Sequence, residues 1–290
     1  MSAFRLPLIV LALLGSLAAG PVRAAEDYDN CTGFITSLPA SITTQGVWCL
    51  DRNLNTAISS GTAIFIATNN VTLDCNDFKV GGLAAGAAST ANGIAASSRQ
   101  NITIRNCNVR GFEDGISLDG GGHVVEDNRL DSNLRRGIQV FDVDGKSVVR
   151  RNLVSDTGGQ TGGAIAIGIF AVGDVIDNTV AGVHAEAPST TVYGIQLNGG
   201  ALGFEIRGNT VRGVVANSDP DGLEGLAVGI DLIGVGHTLA GNRLLDESWI
   251  VTAVPSIGID SSSSNFCIDN TISGFEDAMS MCSDVGGNIF

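Results

Sequence analysis

The sequence predicts an all-β chain wound into one solenoid of about nine coils, with an asparagine ladder running along one corner. Three observations predict it. A doublet of a small and an apolar residue recurs along the chain, an Asn follows each doublet at a near-constant distance, and no 3.6-residue period appears after the N-terminal segment.

Composition narrows the field first. Of 290 residues, 39 are Gly, while aromatics make up 5 % and charged residues 16 %. Hydrophobics at 44 % argue against disorder, and the absence of a Gly-X-Y period excludes collagen. The formal charge is -14 with a pI near 4.4, and only Lys79 and Lys146 are lysines. Phosphate backbones demand clustered Lys and Arg, so no nucleic-acid partner is expected.

The N-terminus carries Arg5, an apolar run over 6–19, then small residues with Val22 and Ala24 placed for cleavage after Ala24. A 14-residue apolar run is too short to span a bilayer and suits a signal peptide over 1–24. We therefore expect a secreted or periplasmic protein without a membrane span. Six cysteines follow (Cys31, Cys49, Cys75, Cys107, Cys267 and Cys282), and their spacing fits disulfides rather than a zinc site. Fifteen pairings are open; Cys31–Cys49 and Cys267–Cys282, each closing a short terminal loop, are the pairs expected. An N-terminal cap is expected over 25–55 and the solenoid over 56–290.

The doublets are Ala63-Ile64, Gly93-Ile94, Gly115-Ile116, Gly137-Ile138, Ala164-Ile165, Gly194-Ile195, Gly229-Ile230, Gly258-Ile259 and Ala278-Met279. After all but the last, 12 to 15 residues on, comes an Asn: Asn76, Asn106, Asn128, Asn152, Asn178, Asn209, Asn242 and Asn270. Each unit reads as three short strands that bury their inward residues only by stacking, about 4.8 Å apart, on neighbouring units. Asn tolerates left-handed backbone, and its amide bonds the amide one coil above. A propeller would need antiparallel hairpins with Asn-Gly-type turns, which are missing.

Units such as Asn101-Ile-Thr-Ile-Arg-Asn-Cys-Asn-Val-Arg-Gly-Phe112 followed by Asp114-Gly-Ile-Ser-Leu118 resemble the right-handed parallel β-helix family, the superfamily of pectate lyases and polygalacturonases. The opening Gln45-Gly-Val-Trp-Cys-Leu50, then Asn70-Val-Thr-Leu-Asp74, is similar to the way such proteins enter their first coils. The resemblance covers roughly residues 45–290 and is specific for a single-stranded right-handed parallel β-helix. One solenoid hosts many activities, so it is weak for function. The polygalacturonase Asp-Asp and Arg-Ile-Lys segments are absent here. Asp219-Pro220-Asp221-Gly222 is faintly similar to the Asp-Pro-His-Asp of alginate epimerases but lacks the His, and it also reads as an ordinary turn.

In that family the loops after the third strand and the first strand of each coil form the ligand groove. The long loops here, 155–163, 181–193, 212–228 and 245–256, carry His184, Glu186, Asp219, Asp221, Glu224, Asp246, Glu247 and Trp249. The outward position one after each doublet is Ser117, Gln139, Ala166, Gln196, Asp231, Asp260 and Ser280 in turn. Asp231 and Asp260 should lie about 4.8 Å apart with Gln196 beside them. Such a pair protonates one carboxyl, binds a cation or is screened by solvent. It suits acid/base work on a glycosidic bond, and calcium suits it equally.

The candidate catalytic residues are thus Asp231, Asp260, Arg212 and His184, with Arg135 and Arg136 as further bases that have local carboxylates to pair with. Gln196, Gln139, Trp249, Glu186 and Asp246 are candidates for substrate binding, and Asp219, Asp221 and Glu224 for calcium. The resemblance implies a monomer acting on or binding an acidic polysaccharide by lyase, hydrolase or epimerase chemistry. A non-catalytic scaffold or adhesion protein facing a cell-envelope component is the alternative, favoured by few aromatics and missing motifs.

Overall fold

Strands of two to thirteen residues with inward apolar side chains cannot bury their cores singly, and here they stack into parallel ladders. The computed structural model describes residues 30–162, 165–188, 190–200, 203–217, 225–247 and 255–290. The first ladder runs through Ala40–Ile42, Thr62–Ile66, Asn92–Gln100, Asp114–Gly121, Arg136–Asp142, Ala166–Ala171, Val192–Gly200 and Ala227–Gly234. It ends on the start of Ser256–Ile268 and on Asp277–Gly286. We number coils 1 to 10 by these strands. The second ladder climbs from Gly33–Ile35 to the second half of Asp277–Gly286, and the third from Leu54–Asn55 to Thr271–Ser273. Every pairing is parallel. Residues 33–55, within the expected cap, already pair with the coils above.

The core consists of columns of like residues. Ile64, Ile94, Ile116, Ile138, Ile169, Ile195, Ile230 and Ile259 stack fully buried from the first ladder, and Val80, Val109, Leu130, Val154, Val180, Val211, Leu244 and Ile272 face them from the third. The small doublet residue has a steric reason. A Cβ on Gly194 would lie 2.5 Å from the Gly229 carbonyl and 2.4 Å from Val211 Cγ1.

That glycine column corrects one register. In coil 6 the stacked doublet is Gly168-Ile169, paired with Ile138 and Ile195; of the expected doublet, Ile165 precedes the strand Ala166–Ala171 and Ala164 lies outside the described residues. Ala171 ends the first strand of this coil and Gly173 begins the second, so the intervening turn is almost absent. Gly173 makes this possible at φ 152, where a Cβ would meet the Ser147 carbonyl at 2.3 Å. The outward residue of coil 6 is therefore Phe170 in place of Ala166.

The asparagine ladder runs Asn128, Asn152, Asn178, Asn209, Asn242, Asn270 and Asn288, each Nδ2 donating to the next Oδ1 at 2.9–3.1 Å. Each Nδ2 also donates to a second-ladder carbonyl, as from Asn209 to Val175. Left-handed backbone falls one residue earlier than expected, on Asp127, Arg151, Asp177, Gly208, Gly241, Asp269 and Gly287 (φ 53–73). Asn76 and Asn106 stand outside the ladder. Asn106 takes the left-handed position, while Cys107 occupies the rung, its N–H donating to Asn128 Oδ1 at 3.0 Å. Cys107 is bonded to Cys75, and Cys31–Cys49 and Cys267–Cys282 are paired as expected. Among the described residues no helix is long and apolar enough to cross a membrane, and with three disulfides this is compatible with an extracellular protein.

Candidate functional site

Parallel pairing without slippage brings one outward residue per coil into a column on the first ladder. From coil 2 to coil 10 it reads Phe65, Ala95, Ser117, Gln139, Phe170, Gln196, Asp231, Asp260 and Ser280. Asp231 and Asp260 are thus direct register partners, one strand step or about 4.8 Å apart. Gln196, on the other side of Asp231, donates from Nε2 to Asp231 Oδ2 at 2.8 Å. Three residues before each of these lies a second column, in which Arg136, Ile167, Tyr193 and Val228 are consecutive.

Asp231 is 9 % exposed. Burial pushes its carboxyl above the usual range, against the Gln196 hydrogen bond that favours the charged form, and the charge of Asp260 adds to the upward push. Burial likewise pushes the Tyr193 phenol up. The charges of Asp231 and Asp260 add to this, while hydrogen bonds with Thr191 and Gln196 oppose it. The site therefore combines a carboxyl and a phenol that burial makes harder to ionise with a second carboxyl one strand step away. Phe170, next to Gln196, presents its ring with the Arg136 guanidinium 5.8 Å from the centroid.

The other candidates lie elsewhere. Arg135 donates to both oxygens of buried Asp114 at 3.1 and 2.7 Å, and Arg136 pairs with the same carboxylate at 3.5 Å. Gln139 donates to Ser117 Oγ at 3.4 Å, and Phe170 separates it from Gln196. Arg212 and His184 belong to the third ladder, Arg212 between Ala181 and Leu245, His184 between Gly158 and Val215. Neither stands in the aspartate column. His184 Nε2 is 3.9 Å from Glu186 Oε1. Asp246 is buried just after the third-ladder strand Arg243–Leu245. Trp249, Asp219, Asp221 and Glu224 lie outside the described residues. Among the described residues no group of three or more His, Cys, Asp or Glu could hold a metal ion.

Two groups escaped the sequence reading. Phe170 was hidden by the shifted doublet of coil 6, although Gly168-Ile169 carries the same signature. Tyr193 falls at the end of the expected loop 181–193, whereas it belongs to the strand Val192–Gly200. His123 and His237 are core residues at the turn between the first and second strands; burial holds both imidazoles below their usual range. His237 stacks on Phe204 at 5.5 Å, and its Nδ1 accepts from the Phe204 N–H.

Three parallel ladders, stacked apolar columns and an asparagine spine define a β-solenoid of three-stranded coils. The sequence matches the family model for the right-handed beta helix region over residues 42–211, more than half of the chain, and the chain belongs to that family. Solved structures of similar shape include the Dettilon tailspike protein, at 15 % identity, 88 % of this chain, 62 % of that one and a TM-score of 0.41. Another is DFA-IIIase from Arthrobacter chlorophenolicus A6 in complex with DFA-III, at 14 % identity, 87 % and 60 % coverage and a TM-score of 0.49. A third is the A-module of the Azotobacter vinelandii mannuronan C-5 epimerase AlgE6, at 16 % identity, 91 % and 92 % coverage and a TM-score of 0.38. The chain spans about three fifths of the length of the first two. At these identities the likeness is one of fold. No curated protein matches the sequence.

Proposed function

We propose that the chain is an exported protein that cleaves an acidic polysaccharide at the first-ladder face by acid/base catalysis with Asp231 and Asp260. The observation that carries this reading is the setting of Asp231: buried, held by Gln196, its carboxyl pushed above the usual range by burial, and one strand step from a second carboxyl. A step of about 4.8 Å is close to the ~5–5.5 Å between the carboxyls of retaining glycosidases. Asp231 donates its proton to the glycosidic oxygen while Asp260 attacks the anomeric carbon, and the bond to the leaving sugar breaks. Water, deprotonated by the Asp231 carboxylate, then hydrolyses the glycosyl ester and frees Asp260. Tyr193 and Gln196 donate to sugar or carboxylate oxygens, and Phe170 offers a face for a ring. The polysaccharide class rests on the resemblance of the repeats to pectate lyases and polygalacturonases.

Hydrolysis suits the site better than elimination. Lyases of the resembled family remove the proton beside a uronate carboxylate with an Arg or Lys, and the strands Val192–Gly200, Ala227–Gly234, Ser256–Ile268 and Asp277–Gly286 carry neither. The test is mass spectrometry of products from pectate, alginate and glucuronan, with calcium and with chelator, for the wild type and Asp231→Asn. Fragments that gain water and vanish in the variant support the reading. Unsaturated, calcium-dependent fragments would move the chemistry to a lyase, and the search for its cation to Asp219, Asp221 and Glu224. Polymer left unaltered throughout would favour a scaffold or adhesion role.

A further inference from the structure

The third ladder holds, over coils 2 to 5 and so at least three coils from Asp231, a hollow of about 410 Å³ with an unusual charge balance. The register sets Lys79, Asn108, Arg129 and Leu153 side by side in coils 2 to 5, and Arg110 between Gly81 and Asp131 two residues further along. Gly81 places no side chain beside Arg110, and a second hollow of about 310 Å³ there shares Lys79 and Arg110 with the first.

Many arginines elsewhere in the protein are neutralised. Arg105 pairs with Asp74, Arg135 with Asp114, Arg150 and Arg151 with Glu126, and Arg207 with Glu205. In the hollow, Lys79 and Arg129 make no ion pair among the described residues. Arg110 Nε lies 3.0 Å from Asp131 Oδ1, yet this buried nitrogen has no hydrogen-bond partner. Three cations against the single carboxylate of Asp131, in three successive coils, are hard to explain in a chain of charge -14, because an excess of like charge repels itself.

We propose that this hollow binds an anionic glycan chain, one bearing carboxylates or sulfates, at a place separate from the aspartate face. Backbone N–H groups of these strands are committed to the parallel ladder, so no nest exists for a lone phosphate and the side chains must do the binding. The cations are spread over about 10 Å along the solenoid axis, two strand steps, as suits charges carried at intervals on an extended polymer. Asn108 and Ser155 add neutral hydrogen-bonding groups for hydroxyls, and Leu153, 38 % exposed, offers aliphatic surface to a sugar ring. A nucleic-acid duplex, with a charge every ~1.7 Å, would need a larger basic surface and would meet the acidic remainder of the molecule. From residue 152 onward, Arg207, Arg212 and Arg243 are the only basic residues against sixteen acidic ones. The inference does not depend on catalysis at Asp231.

The test is affinity electrophoresis of the whole protein in gels containing polygalacturonate, dextran sulfate, neutral dextran or duplex DNA, at low and at high salt. The expected result is retardation by at least one anionic glycan and none by dextran, abolished by salt. Retardation should weaken tenfold or more in the Lys79→Gln/Arg129→Gln double variant, and strengthen in Asp131→Asn, which removes the competing acid. Urea midpoints of the variants close to that of the wild type exclude a folding defect. The proposal is overturned if neither anionic glycan retards the protein, if the double variant is retarded like the wild type, or if DNA binds more tightly than both glycans. Binding retained here alongside absent products in the cleavage assay would overturn the cleavage reading alone.

Discussion

Gln196 Nε2 donates to Asp231 Oδ2 at 2.8 Å across one strand step, and this bond opposes the burial that raises the Asp231 carboxyl. As a proton donor, Asp231 is active below its pKa. Asp231→Asn should lower turnover by about 10²–10⁴ in the cleavage assay. Gln196→Leu removes a bond that favours the charged form, so the alkaline limb of the pH–rate profile should move to higher pH. A limb that stays in place or moves down would separate Asp231 from the proton transfer. The raised pKa also means that ionising Asp231 weakens the fold as pH rises, so Asp231→Asn should melt no lower than the wild type at pH 7.

Phe170 is neighbour to Gln196 in the outward column. If its ring stacks on a sugar, Phe170→Ala should raise KM about fivefold, or about 1 kcal/mol, with kcat little changed. An unchanged KM would place the sugar away from coil 6.

Asn209 Oδ1 accepts from both the backbone N–H and the Nδ2 of Asn178, and Asn209 Nδ2 donates to the Val175 carbonyl and Asn242. Asn209→Ala strands several buried polar groups at roughly 1–3 kcal/mol each, so a loss of about 3 kcal/mol or more is expected in urea unfolding. The exposed Asn217, whose Nδ2 donates to the Glu186 carbonyl, is the control: Asn217→Ala should cost about 0.5 kcal/mol or less.

Cys75–Cys107 closes a separation of 32 residues where the ladder lacks its rung. Cys75→Ala/Cys107→Ala should cost about 3–4 kcal/mol. Cys75→Ala/Cys107→Asn supplies an amide able to donate to Asn128 Oδ1 and should recover about 1 kcal/mol of it. Equal urea midpoints for the two variants would refute that rung position.

Asp142 is fully buried. Burial pushes its carboxyl up, but Ser147 Oγ at 2.6 Å and the N–H groups of Gly122, Asp144 and Lys146 outweigh this and hold it below the usual range. A depressed carboxylate stabilises the fold above its unfolded pKa, and that contribution is lost as pH falls through the lower folded value. Melting temperature should therefore drop below about pH 4. Asp142→Asn, which turns an NH2 toward these donors, should melt lower than the wild type at pH 7, with the gap narrowing at pH 3.

How much was legible followed from what repeats. Ile116, Ile138, Ile195 and Ile230 declared the inward column because stacking demands the same residue type at the same place in every coil. Asp231 and Asp260 followed by simple counting, since parallel strands without slippage turn sequence offset into position. Phe170 was lost where Gly173 removed a turn and shortened one coil, a change that alternation does not mark. Arg212 and His184 were drawn into the groove as loop residues, whereas pairing with Leu245 and Gly158 extends the third ladder through them.

The chain by itself determined the coil, its asparagine spine and the facing aspartates, because each depends on local alternation repeated at near-constant spacing. Only the tertiary structure decided the burial of Asp231, the company of Tyr193 and Phe170, and the excess of Lys79, Arg110 and Arg129 over Asp131. Desolvation and ion pairing depend on what stands one coil above or below, some twenty to thirty-five residues away in sequence, and that distance is set by turns of variable length.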